Sequence, residues 1–100
     1  MVIAEISIVP IGTNTPSVSQ YVAGAIKVLS QEKNVKYKLT AMGTILEGTW
    51  ASVLGVTKKM HESVFDDQIQ RVVTTIKIDD RRDRESSVER KIKSVTEKLK

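Results

Sequence analysis

The strongest constraint on the fold is a change of hydrophobic period along the chain, from two residues to about 3.6 and back. Apolar residues stand at every second position in residues 2–8, in residues 35–41, which a Met-Gly pair and a short return segment follow, and in residues 72–78 apart from Thr74. This alternation is typical of strands with one buried face. Residues 17–29 and 50–65 instead repeat apolar residues at helical spacing. The predicted order is therefore strand, helix, strand, strand, helix, strand.

This order predicts an α+β protein with a ferredoxin-like βαββαβ fold, a four-stranded antiparallel sheet covered by both helices on one face. An additional C-terminal helix at about residues 86–99 follows, because one side of that segment is apolar: Val88, Ile92, Val95 and Leu99. We expect residues 1–100 to form one domain.

Turn and cap residues mark the expected element boundaries. Ser17 with Gln20, and Ser86 with Glu89, have the spacing of capping boxes before the first and third helices, and Thr49 can cap the second. Gly43 is expected to provide the backbone freedom that the turn between the middle strands requires.

One face of the predicted sheet lacks a helical cover. Two helices cover a single face, yet Ile3, Val9, Ile45 and Val73 are apolar and belong to the other. An apolar sheet face of this kind favours association with a second copy of the chain. The apolar side of the third helix is a further candidate for contact with a neighbouring copy.

Composition excludes several classes of protein. The chain has no cysteine, which rules out disulfides and thiolate metal sites, and it has no run of about 18 apolar residues that could span a membrane. No leader segment is recognisable, so we expect a cytoplasmic protein. An RNA-recognition function is not expected, because the two strands predicted at the centre of the sheet contain no aromatic residue for base stacking.

Most of the net charge of +4 lies in the last quarter of the chain: residues 77–100, which include the run IDDRRDRE, hold nine Lys or Arg against six Asp or Glu. Acids and bases alternate there, which favours an ion-paired junction before the last helix. Two alternatives remain open: Asp79 and Asp80 could ligate a divalent cation, or Arg81, Arg82 and Arg84 could hold a phosphate.

Few other residues could carry chemistry. His61 is the only histidine and is expected to be packed or hydrogen-bonded, since no second histidine completes a metal site. Glu5 and Glu47 fall on the uncovered sheet face, where each either pairs with a lysine of a neighbouring strand or is kept for a ligand. No catalytic residue and no metal site are predicted.

Several segments together resemble the small thiamine-binding (YkoF-like) family. They are IVPIGT, PSVSQYVA, AMGTILEG, a helix containing His61-Glu62, RVVTTIKIDDRRD and a closing basic helix. The resemblance spans essentially the whole chain, although Trp50 stands where the family often has an acid. It implies a ferredoxin-like fold, homodimers joined into a tetramer, and binding of thiamine or a related hydroxymethylpyrimidine as a ligand, with no cofactor and no catalysis.

The resemblance also suggests which residues meet the ligand. Glu47 is expected to accept a hydrogen bond from the aminopyrimidine or to offset the thiazolium charge, and hydroxyl groups and two larger side chains complete the expected site: Thr13, Ser19, Thr44, Tyr21 and Met42. Asp79, Arg81 and Arg82 are expected to form an ion-paired cluster or an anion site. Two other functions stay open, a structural or regulatory oligomer without an organic ligand and an enzyme acting on phosphorylated metabolites.

Overall fold

The computed structural model describes all 100 residues and contains four strands and three helices. The elements in chain order are β1 (Val2–Ile11), α1 (Ser19–Ser30), β2 (Lys36–Leu39), β3 (Thr44–Gly48), α2 (Trp50–Ser63), β4 (Arg71–Asp79) and α3 (Val88–Lys98). The sequence prediction of element types and order is confirmed.

The four strands form one antiparallel sheet in the order β2-β3-β1-β4, which is the ferredoxin-like arrangement. Val2, Ala4 and Ile6 of β1 are buried, so the face that they share is the one that α1 and α2 cover. The register places the alternate residues on the opposite face, which we call the open face. It presents the following side chains: Ile3, Glu5, Ser7, Val9, Ile11, Lys36, Lys38, Ile45, Glu47, Arg71, Val73, Thr75, Lys77 and Asp79.

The core lies between the covered face of the sheet and the two helices. Eleven buried residues form one continuous cluster, and burial of each large aliphatic side chain contributes about 1.5–3 kcal/mol to stability. The cluster consists of Val2, Ala4, Ile6, Ala25, Leu29, Val35, Leu46, Val53, Val56, Met60 and Val64. These are the positions that the alternating and helical patterns place on inward faces, because strand side chains two apart share a face.

Two of the three predicted helix caps differ from the structure. Thr49 caps α2 as predicted, since its hydroxyl oxygen accepts from the Ser52 amide at 3.1 Å. The N-cap of α1 is Val18, with no side-chain cap, so the predicted capping box of Ser17 and Gln20 is absent. The N-cap of α3 is Ser87 rather than Ser86, because only Ser87 reaches the Arg90 amide.

The predicted reason for Gly43 was also wrong. Gly12 is the only residue with a positive φ, at 91°, and Gly43 has an ordinary backbone conformation. Glycine is required at residue 43 because a β-carbon there would lie 2.6 Å from the carbonyl oxygen of Ile6. The requirement is close approach between two backbone segments rather than conformational freedom.

Helix α3 is almost separate from the rest of the molecule. None of its residues is buried, and the radius of gyration is 15.0 Å, against about 13 Å for a compact chain of this length. Its apolar side remains in solvent, with Ile92 at 50%, Val95 at 59% and Leu99 at 80% exposure. No helix in the structure is long and apolar enough to cross a membrane.

Candidate functional site

The clearest enclosed space in the molecule lies between α1 and the turn that joins β2 to β3. This space, which we call the hairpin cavity, has a volume of about 180 Å³. Strand β1 supplies one wall around Ile6, α1 a second around Tyr21, and Met60 and Val64 of α2 close the inner end. No charged side chain lines it, and 13 of its 17 lining residues are hydrophobic. The cavity therefore suits a neutral ligand group.

One polar group inside the cavity has no partner in the chain. Thr44 is only 5% exposed, yet its hydroxyl takes part in none of the side-chain hydrogen bonds of the molecule. No fully enclosed side-chain polar atom lacks a partner, so the Thr44 hydroxyl must be accessible from the cavity. A hydroxyl both donates and accepts hydrogen bonds, so this one is available to a ligand with a polar edge that enters the cavity.

The turn that forms the outer wall of the cavity is held in place by local contacts. The Thr40 amide and the Thr40 hydroxyl both donate to the Gly43 carbonyl, at 2.9 and 2.8 Å. On the other side, Gly43 presses against the backbone of Ile6. Met42, which precedes Gly43 in the turn, is 86% exposed and lies at the mouth of the hairpin cavity. The turn thus has a fixed base and a mobile apolar side chain at the opening, since methionine has three rotatable bonds.

The structure brings together three of the six residues predicted to bind a ligand. Tyr21, Met42 and Thr44 all line the hairpin cavity. Ser19 lies just outside, in an open depression that continues from the cavity along α1. Thr13 lies in the loop before α1 and donates to the Thr15 carbonyl at 2.6 Å, away from the cavity.

Glu47 is not part of this cavity within one chain. Thr44 and Glu47 are three residues apart on β3, about 10 Å, with Thr44 on the covered face and Glu47 on the open face. The Glu47 carboxylate accepts a hydrogen bond from the Val88 amide at 3.0 Å, at the first turn of α3. A carboxylate at a helix N-terminus satisfies a free amide and complements the helix dipole.

The first turn of α3 has a second attachment to the open face. The Lys91 ammonium pairs with the Asp79 carboxylate of β4. Ile3 lies opposite both Glu47 and Asp79 in the register, so the helix begins above Ile3 and is held on each side of it. The six ion pairs of the chain include no cross-strand lysine pair of Glu5 or Glu47, so the predicted pairing of these acids is absent.

The basic run after β4 is an ion-paired junction, as one of the sequence interpretations expected. Arg82 pairs with Asp80, and Arg81 makes two hydrogen bonds to Asp83. The Arg81 guanidinium lowers the pKa of Asp83 to about 2, and hydrogen bonds from Arg82 and from Trp50 lower the pKa of Asp80. Both carboxylates therefore stay ionised, and paired, well below neutral pH.

A divalent-cation site at Asp79 and Asp80 is not supported. Asp79 is paired with Lys91 and Asp80 with Arg82, so cationic side chains already occupy the space in front of both carboxylates. No group of three or more His, Asp or Glu side chains is placed to hold a metal ion. His61 is hydrogen-bonded to the Thr74 hydroxyl and packs edge-on against Phe65, which confirms the packing role expected for it.

Sequence reasoning missed much of the cavity wall. The sequence assigned Met60 and Val64 only to the buried side of a helix and Thr40 only to a strand, although all three line the cavity. The pattern of a single element does not show where a cavity remains between two elements. One signal was present: Thr44 is a polar residue at a position that the alternation places on the covered face.

The fold and the cavity define a class: a small ferredoxin-like domain with a neutral, mostly apolar cavity beside the β2–β3 turn. A sequence profile described as thiamine-binding protein matches residues 4–96, and the chain belongs to this family. The UPF0045 protein YqgV of Bacillus subtilis is 46% identical, with 99% of this chain and 98% of the relative covered.

Solved structures agree with the fold. The crystal structure of hypothetical protein MJ1052 from Methanocaldococcus jannaschii has a TM-score of 0.87 and 44% identity, with 96% of each chain covered. A candidate thiamine biosynthesis/salvage protein from Thermotoga maritima has a TM-score of 0.76 at 20% identity, with 94% of this chain and 97% of that chain covered. At that identity the second likeness shows the fold alone.

Proposed function

We propose that the chain is a non-catalytic binding protein for thiamine or its hydroxymethylpyrimidine moiety, and that the hairpin cavity takes the pyrimidine ring. Membership of the thiamine-binding protein family supports the ligand class. The observation that carries the proposal is the Thr44 hydroxyl, which has no hydrogen-bond partner in the chain and is accessible from a neutral cavity of one-ring size.

The size of the cavity favours a single ring. An apolar protein cavity of about 150 Å³ accommodates benzene. The hairpin cavity, at about 180 Å³, has room for one six-membered ring and small substituents. It has no room for the second ring of thiamine, which on this proposal projects through the mouth past Met42.

The chemistry of the lining favours the same orientation. A thiazolium cation would lose its hydration in a cavity without a carboxylate, which is strongly unfavourable. An aminopyrimidine is neutral and planar, and it carries both donors and acceptors. Thr44 can donate to a ring nitrogen or accept from the amino group, while the aromatic ring of Tyr21 packs against the ligand.

The proposal leaves the other predicted ligand residues in lesser roles. Ser19, at the rim, is placed to meet the part of the ligand outside the cavity. Glu47 and Thr13 lie elsewhere in the monomer, so a ligand role for either of them stays a prediction that depends on assembly of several chains.

We include self-association in the proposal. The open face and α3 expose apolar side chains that a monomer rarely leaves in solvent, and they are near one another because α3 starts above Ile3. A second copy of the chain, covering both surfaces, accounts for them. The proposed homo-oligomer acts in the cytoplasm.

The substitution Thr44→Val tests the ring assignment. Valine matches threonine in shape but cannot hydrogen-bond, so a polar ligand atom in the cavity is left without a partner. We expect hydroxymethylpyrimidine and thiamine to bind about tenfold more weakly by calorimetry, with the two ligands affected equally.

Thr57→Val is the matched control. Thr57 is also buried, but its hydroxyl donates to the Val53 carbonyl within α2 and does not line the cavity. We expect the Thr57→Val variant to bind hydroxymethylpyrimidine and thiamine with the wild-type affinity. Wild-type protein that binds neither compound would contradict the proposal and favour an oligomer without an organic ligand; turnover of either compound would contradict the non-catalytic part.

A further inference from the structure

A second recess lies at the end of the sheet opposite the hairpin cavity. It is formed by the first residues of β1, the start of α2 and the segment between β4 and α3, and its volume is about 810 Å³. We call it the arginine groove, because Arg81, Arg82, Arg84 and Arg90 all line it. Val2 lines the groove and Ile6 lines the cavity, and these two residues of β1 are about 13 Å apart along the strand.

The cations of the groove are not all neutralised. Arg81 and Arg82 are held by Asp83 and Asp80. Arg84, Arg90 and Lys36 belong to none of the six ion pairs of the chain. The one carboxylate of the groove without a partner is that of Glu85, since Glu47 binds α3 and Asp80 is paired. The groove therefore carries an excess of free positive charge.

An immobilised aromatic ring lies in the same groove. The Trp50 indole N–H donates to the Asp80 carboxylate at 3.1 Å, which fixes the orientation of the ring at the start of α2. Trp50 is nonetheless 44% exposed. A fixed, accessible indole beside free guanidinium groups combines a stacking surface with phosphate donors, since arginine binds phosphate through two parallel hydrogen bonds.

We propose that the arginine groove binds a phosphorylated small molecule with a planar aromatic group, of the nucleoside phosphate class. Arg84 and Arg90 hold the phosphate, and Trp50 stacks on the ring. The groove and the hairpin cavity share no lining residue, so this inference stands independently of the proposed thiamine function.

The test uses the fluorescence of Trp50, the only tryptophan of the chain, which reports directly on the groove. Adenosine monophosphate is the probe, and inorganic phosphate is the comparison. We expect a saturable fluorescence change with adenosine monophosphate, and at least tenfold weaker binding of inorganic phosphate. Arg84→Gln and Arg90→Gln should each weaken nucleotide binding about tenfold, because each removes a charge-assisted contact.

Lys33→Gln is the matched control, because Lys33 is an exposed cation outside the groove. This variant should bind adenosine monophosphate with the wild-type affinity. Calorimetry with Trp50→Phe, which has no indole signal, should show severalfold weaker binding. Three results would each overturn the proposal: no saturable change at millimolar nucleotide, wild-type affinity in both arginine variants, or equal affinities for nucleotide and inorganic phosphate. Hydroxymethylpyrimidine binding in the same samples, measured by calorimetry, tests the hairpin cavity separately.

Discussion

Two glycines show how differently the same residue type can act in this chain. A β-carbon at Gly43 would lie 2.6 Å from the Ile6 carbonyl oxygen, whereas one at Gly55, in the middle of α2, would meet no atom within 4 Å. Gly43→Ala should therefore destabilise the protein by about 1–3 kcal/mol, because backbone has to move. Gly55→Ala should stabilise it by up to about 1 kcal/mol, because alanine favours a helix.

Thermal unfolding measures both effects. In a domain of this size, 1 kcal/mol corresponds to a shift of about 4–8 °C in Tm, so the two variants should move to opposite sides of the wild type. A Gly43→Ala variant as stable as wild type would show that the turn does not depend on its contact with β1, and the fixed outer wall of the hairpin cavity would then be in doubt.

At the scale of single elements, the attachment of α3 to the sheet depends on few contacts. An isolated helix of 11 residues is marginally stable in water, and α3 buries none of its residues. Glu47 is a principal anchor, through its bond to the Val88 amide. Glu47→Ala should remove a helix cap worth about 0.5–2 kcal/mol, so that the amides of α3 exchange with solvent several times faster.

Hydrogen exchange followed by mass spectrometry gives the comparison, with Glu5→Ala as the control. Glu5 is another carboxylate on the open face, and none of the side-chain hydrogen bonds of α3 involves it. In the Glu5→Ala variant, the amides of α3 should exchange at the wild-type rate. Because Glu47 lies outside the hairpin cavity of its own chain, hydroxymethylpyrimidine should bind the monomeric Glu47 variant as it binds the wild type; a loss of affinity only in the assembled protein would assign Glu47 to a site between chains.

At the scale of the whole molecule, the exposed apolar side of α3 and the open face predict a homo-oligomer. Ile92→Glu combined with Val95→Glu places two charges on the apolar side of α3 and should shift the protein toward the monomer in sedimentation equilibrium. Ser94→Glu adds one negative charge on a different side of the helix and should leave the association unchanged. A wild type that sediments as a monomer would contradict self-association outright.

The order of elements was predictable because each element carries its own periodicity. β1 and β4 alternate cleanly, and α2 shows its buried stripe and its Thr49 cap, all of which depend on residues close in sequence. The placement of Glu47 on the open face was predictable for the same reason. The cap of α1 was not predictable, since Ser17 and Gln20 had the right spacing but the helix begins one residue later, with Val18 as its N-cap.

By itself, the sequence determined which residues share a face, because side-chain direction follows from local backbone geometry. Only the tertiary structure decided which faces meet and where they leave space. Three features depend on residues that are distant in the chain. They are the gap between α1 and the β2–β3 turn, the close approach of Gly43 to Ile6, and the hydrogen bond from the Val88 amide to Glu47. Such contacts depend on how whole elements are positioned, and no local pattern records that.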